Sequence, residues 1–202
     1  MEKKFSTMTL LLIPVGIAIN VIGGQMASVL RLPLYLDIIG TITIGLIGGV
    51  IPGVLVGLLT NLINAIFTPT MLPYVIVSVA FGFLSGVLSK KGMFLSKKKV
   101  AISGILLALV AVALATPITA FVMGGITGGG NSVIIVTLQS MGFNLLTATL
   151  ISTFCTEMLD KLLTVFICYG IVHSMSSRYL SKFPLGHIYI NTDKASQKRE
   201  YI

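Results

Sequence analysis

Residues 38–89 and 100–156 contain no Asp, Glu, Lys, Arg or His. Two uninterrupted stretches of that length leave few options, because a membrane-spanning helix needs only about 20 apolar residues and each stretch holds several. The chain is 55% hydrophobic and only 10% charged, and its mean hydropathy is +1.01. An all-α integral membrane protein is the expected fold class, with the lipid bilayer as its solvent.

The net charge of +8 could suggest nucleic acid, but the placement of the basic residues points to topology instead. Lys3 and Lys4 precede the first apolar run, Lys90, Lys91, Lys97, Lys98 and Lys99 share one connection, and Arg178, Lys182, Lys194, Lys198 and Arg199 follow the last. If those three segments are cytoplasmic, the positive-inside rule holds, both termini are inside and the number of crossings is even. Only Arg31 and Lys161 fall outside these groups. Six spans are expected, over residues 8–30, 34–51, 54–67, 74–89, 100–123 and 149–172. The first is read as a retained span, since no small-residue cleavage signature follows a short apolar core. The second and third are short, with Pro52-Gly53 as a turn between them, so 34–67 is either two crossings or a re-entrant hairpin. Residues 1–175 form the bundle in this reading, and 176–202 a basic, partly disordered cytoplasmic tail. Cys155 and Cys168, 13 residues apart on one helix, lie roughly 20 Å apart and cannot pair.

The last span breaks the apolar pattern. At about 100° per residue, Glu157, Asp160, Lys161, Thr153 and Thr164 share one face, with Thr149 at its edge. A charge at bilayer depth costs roughly 2.5–3.5 kcal/mol on insertion scales, so such residues normally face a bundle interior or a cavity. Glu157 and Lys161 are spaced i, i+4 and can neutralise each other as a purely structural tie. That pairing leaves Asp160 unmatched and the trio at −1, which suits a ligand bearing an amine, a pyridinium or several hydroxyls.

Other polar residues are candidates for the same site. Asp37 precedes an apolar run and is read as its N-cap, with ligand contact as the alternative. Thr60, Asn61 and Asn64 need hydrogen-bond partners at membrane depth, from neighbouring helices or from a ligand. Gln139 and Asn144 flank the last span on the outer side. Gly16, Asn20, Gly24 and Ser28 form a small or polar ridge on the first span, suited to close approach by a partner helix or by the bundle itself. The run 124–131 is glycine-rich, but no strand precedes it and no Gly-Lys-Ser/Thr follows, so a mobile external loop is expected rather than a phosphate cradle.

Six short spans with both ends inside, Pro-Leu-Tyr-Leu-Asp at 33–37, Leu-Thr-Asn-Leu-Ile-Asn at 59–64 and Asp-Lys-Leu-Leu at 160–163 form a combination that resembles the substrate-binding S components of energy-coupling factor (ECF) vitamin transporters. The likeness covers about residues 10–175. It implies a small six-helix protein of the prokaryotic cell membrane that captures a vitamin from outside, in a cavity made by the later helices and covered by external loops. It also implies partners, a membrane scaffold subunit and two ATPases, and no chemistry or cofactor of the chain's own. The family's docking signature on the first helix is two alanines four apart, where this chain has Gly16, Asn20 and Gly24. Within the family, the Tyr-Leu-Asp and Asp-Lys patterns look most like members assigned to pyridoxine-type vitamins. A vitamin B6 compound would then use Glu157, Asp160 and Lys161 as acceptors and donors, with Tyr35 or Tyr74 stacking on the ring. Thiamin is the alternative vitamin.

Three rival classes stand beside this one. A self-sufficient secondary transporter would also interrupt its helices at glycine and proline, though the two halves show no convincing self-similarity. An intramembrane enzyme lacks a His-Glu-x-x-His metal pair or a Gly-x-Ser-x-Gly nucleophile turn. A purely structural subunit would bury the charged trio against helices with no cavity.

Overall fold

The computed structural model describes residues 7–30, 32–127 and 130–190, and all regular structure in them is helical. Arg31, Lys3, Lys4, Gly128, Gly129 and the basic residues beyond 190 lie outside the described residues. The helices are α1 (Thr7–Val29), α2 (Ile39–Gly48), α3 (Val50–Phe67), α4 (Val75–Lys90), α5 (Lys97–Pro117), α6 (Gly130–Ser140), α7 (Leu145–Ser174) and α8 (Ser177–Leu180). A 3-10 turn, Pro69–Tyr74, leads into α4, and a π-helical turn, Ile118–Val122, ends α5.

Four helical stretches are long and apolar enough to cross a membrane: Thr7–Val29, Val50–Phe67, Pro69–Lys90 and Lys97–Val122. The 30 residues of α7 reach about 45 Å at 1.5 Å per residue, with the charged trio near the middle. By contrast, α2 has 10 residues, about 15 Å, half the hydrocarbon thickness. It begins five residues later than expected, because 34–38 is extended rather than helical.

This short helix is the centre of the molecule. Every residue of α2 after Ile39 is buried, and it packs against α1, α3, α4 and α7. The break between α2 and α3 falls at Gly49, at φ 96° and ψ −171°, and not at Pro52-Gly53. Only glycine takes that backbone without strain, whereas proline is tolerated in a helix's first turn, so Pro52 and Gly53 belong to α3. Nor does Asp37 cap α2. The N-cap is Ile38, without a side-chain bond, and the cap comes from another helix. Asn20 Oδ1 accepts from Gly40 N at 2.7 Å, while its Nδ2 donates to Thr41 Oγ1 at 2.8 Å and Thr60 Oγ1 at 3.1 Å. One buried amide thus satisfies the orphan start of α2 and ties it to α1 and α3.

That geometry corrects the reading of the α1 ridge as a scaffold-docking surface. Gly16 and Asn20 are buried, and Gly24 lies against Asp37. Small residues were needed there for close approach inside the bundle. Gly82 of α4 and Gly53 of α3 do the same work: a Cβ on Gly82 would overlap the Gly53 carbonyl and Val54 N. Gly82→Ala is therefore expected to cost about 1–3 kcal/mol in thermal unfolding. Gly170→Ala on α7, with nothing within 4 Å, should leave stability unchanged or raise it by up to about 1 kcal/mol.

Residues 177–190 are not a loose tail. Leu180, Phe183, Leu185 and Tyr189 are buried, and the segment folds against the end of the bundle where α2 and α4 finish. Leu185 N donates to Ile47 O at 3.0 Å. Ser89 Oγ donates to Leu46 O and accepts from Tyr189 Oη, both at 2.7 Å. Burial pushes the Tyr189 phenol up to about 12, so it remains a neutral donor at physiological pH. The boundary at 175 thus separates nothing in the packing.

Candidate functional site

The polar stripe of α7 is turned inward. Thr149, Thr153, Glu157, Asp160, Lys161 and Thr164 are all buried, as are Ser152 and Thr156 beside them. Leu150, Ile151, Leu159 and Leu163 are exposed on the other side. A helix that buries its polar face and presents leucine and isoleucine outward is built for an apolar surround.

The extended segment before α2 explains part of the stripe. Unwound backbone at membrane depth needs acceptors from the protein. Asp160 Oδ1 accepts from Tyr35 N at 2.8 Å and Leu36 N at 3.0 Å. Leu36 sits at φ 52°, a left-handed conformation uncommon for leucine that persists only where the surroundings impose it. Lys161 Nζ then donates to Asp160 Oδ2 at 2.6 Å. The pairing inferred from i, i+4 spacing is thus only half of the arrangement. Lys161 Nζ also lies 2.9 Å from Glu157 Oε2, but off the direction of a hydrogen bond, so that oxygen keeps bonding capacity. The Phe81 and Tyr35 rings lie 4.8 Å and 5.7 Å from the same ammonium, within cation–π range.

Above the trio is a cavity of about 310 Å³, near the lower end of the range for small-molecule sites. That equals about ten waters' share of liquid. Nearly every element contributes to its wall: Gly24, Gln25 and Ser28 from α1, Tyr35 and Asp37 from the extended segment, and Asn61 and Asn64 from α3. Tyr74, Ser78 and Phe81 follow from the stretch Pro69–Lys90, Thr119 from the stretch Lys97–Val122, and Asn131, Thr156, Glu157 and Lys161 from α6 and α7. Tyr74 Oη is 2.7 Å from Thr119 Oγ1, which joins the tops of those two stretches. Asn61 is occupied by Ser78 Oγ and Gly57 O. Asn64 Oδ1 is buried without a partner.

Of the expected site residues, Glu157, Lys161, Asn61, Asn64, Tyr35, Asp37 and Tyr74 come together on this cavity. Asp160 does not line it and acts behind the wall, on the backbone of the extended segment. Asn144 is the N-cap of α7 and accepts from Thr147 N at 2.8 Å, which consumes its side chain. Gln139 is exposed on α6. Neither lines the cavity. Asn131 was hidden in the glycine-rich run. Its signal was the pair of hydroxyls, Ser152 and Thr156, that extend the α7 stripe and bond to it. Gln25, Phe81 and Thr119 carried no signal in their local pattern.

Among the described residues the wall carries Asp37, Glu157 and Lys161, with Asp160 bonded to Lys161 behind it, a formal excess of carboxylate. The arrangement can bind and orient a small polar cation, and its amides can select oxygen or nitrogen groups around it. No family model, curated protein or solved structure matches this chain.

Proposed function

We propose that the chain is a multi-pass protein of the prokaryotic cell membrane that captures a water-soluble vitamin at the outer face, as the S component of an ECF transporter. A vitamin B6 compound is the first choice of ligand. The observation that carries this reading is the partly open, mixed polar and apolar cavity that has the Glu157 and Asp37 carboxyls in its wall, set between apolar outer faces. Six crossings then follow: α1, the extended segment with α2, α3, the 3-10 turn with α4, α5 with its π turn, and α7. With 90–99 on the inside, both ends are cytoplasmic and the cavity opens outward. Uptake in this reading requires a scaffold subunit and two ATPases, and the chain binds without catalysing a reaction.

The interrupted second crossing also fits a self-sufficient secondary transporter, in which unwound helices line the site. Uptake of labelled vitamin into liposomes by the purified chain alone would favour that reading, and dependence on ATPases the first.

The test of binding is calorimetric titration of detergent-purified protein with pyridoxamine, pyridoxine, pyridoxal and thiamin, after native mass spectrometry for a co-purified compound. Nanomolar binding of one vitamin is expected, weakened about 10–100-fold in Glu157→Gln, the range for a charge-assisted hydrogen bond. Absence of binding across the panel by well-folded protein overturns the proposal.

A further inference from the structure

Asn131 opens α6 and is 2% exposed, yet its amide is used on one side only. Oδ1 accepts from Ser152 Oγ and, at 3.3 Å, from Thr156 Oγ1, both on α7. In this arrangement both hydroxyls donate to Oδ1, on the α7 side of the amide. Its Nδ2, with two N–H donors, is buried without a partner, and the residue lines the cavity. A buried donor left unpaired costs about 1–3 kcal/mol, so its retention calls for a partner that arrives later. Glu157, whose Oε2 has spare bonding capacity, lines the same cavity. Across the cavity, Asn64 Oδ1 is the complementary case, a buried acceptor without a donor.

We infer that Asn131 is a ligand-recognition residue, and that the site selects a small protonated amine carrying an oxygen acceptor next to it, such as an aminomethyl phenol or an amino alcohol. The amine meets Glu157, the oxygen accepts from Asn131 Nδ2, and a further N–H or O–H of the ligand donates to Asn64 Oδ1. Ser152 and Thr156 aim the amide, Thr156 from the cavity wall and Ser152 from behind it. This inference rests on the vitamin-binding reading and adds to it a residue and a chemical requirement.

The test is a cycle between protein and ligand. Pyridoxamine and 4-(aminomethyl)pyridine share the ring and the amine, but the second lacks every oxygen. Both are titrated into wild type, Asn131→Asp and Asn131→Leu, with thermal unfolding to verify that each variant is folded. Asn131→Asp keeps an acceptor for Ser152 and Thr156 and removes the amide donor. The expected result is that pyridoxamine binding weakens at least tenfold in both variants, while the weaker binding of 4-(aminomethyl)pyridine changes less than threefold. Equal losses for the two ligands, or no loss for pyridoxamine, overturn the inference and reduce Asn131 to a tie between α6 and α7. Failure of wild type to bind either compound, or any vitamin of the panel, overturns the vitamin reading and this inference with it. Binding of pyridoxine as tight as that of pyridoxamine overturns the amine requirement alone.

Discussion

Lys161→Met is expected to lower stability by about 3–5 kcal/mol, the usual result of removing one partner from a buried ion pair. Lys161 is 2% exposed, and its ammonium is within 2.9 Å of one carboxylate and 2.6 Å of another. Methionine fills similar volume beside Phe81, so lost packing is a minor contribution. What remains is Glu157 and Asp160, one helical turn apart, both buried and without a counter-charge. At about 2–4 °C per kcal/mol for a chain of this size, the apparent melting temperature in detergent should fall by roughly 6–20 °C. Removing the stranded charge as well, in Asp160→Asn with Lys161→Met, should recover part of the loss. An unchanged melting temperature in the single variant would mean that Lys161 is not the counter-ion of the trio.

Asp160→Ala is expected to release the extended segment. Tyr35 N and Leu36 N lose their acceptor, at about 1–3 kcal/mol for each buried amide left unpaired, and the left-handed Leu36 no longer has a reason to stay so. Tyr35 and Asp37 form part of the cavity wall, so ligand affinity should fall although Asp160 touches no ligand. Hydrogen exchange reads the cause directly. The Tyr35 and Leu36 amides should be protected in wild type, exchange at least tenfold faster in Asp160→Ala, and stay largely protected in Asp160→Asn, which keeps an oxygen in place. Equal exchange in all three would show that the segment is held by something else.

What the sequence allows one to foresee depends on how far apart the cooperating residues lie. The inward stripe of α7 was readable, because a 3.6-residue period places Thr153, Glu157, Asp160 and Thr164 on one face whatever surrounds them. The stretch before α2 was readable in part. Pro33 and the capping position of Asp37 mark it as an extended or turned connection, but the acceptor that holds it, Asp160, is 125 residues away. Asn20 looked like part of a docking ridge because its partners on α2 and α3 are 21 and 40 residues distant. The fold-back of 177–190 was masked by Arg178 and Lys182, whose charges hide the spacing of Leu180, Phe183, Leu185 and Tyr189. Local rules reached the helices and one face of the site, whereas the places of Asn20 and of the fold-back depend on contacts between distant parts of the chain.

The fold-back has a consequence for how the molecule comes into being. Its anchor, the bond between Ser89 and Tyr189, joins residues 100 positions apart, and the carbonyls it reaches belong to the hairpin at Gly49. That hairpin emerges from the ribosome long before this end of it can be closed. During synthesis the end of α2 waits open, with the Ile47 and Leu46 carbonyls lacking their final donors. Native packing at that end is therefore a late event, completed only when residues 177–190 have left the exit tunnel. Insertion into the membrane and completion of the fold are separate stages in the birth of this protein.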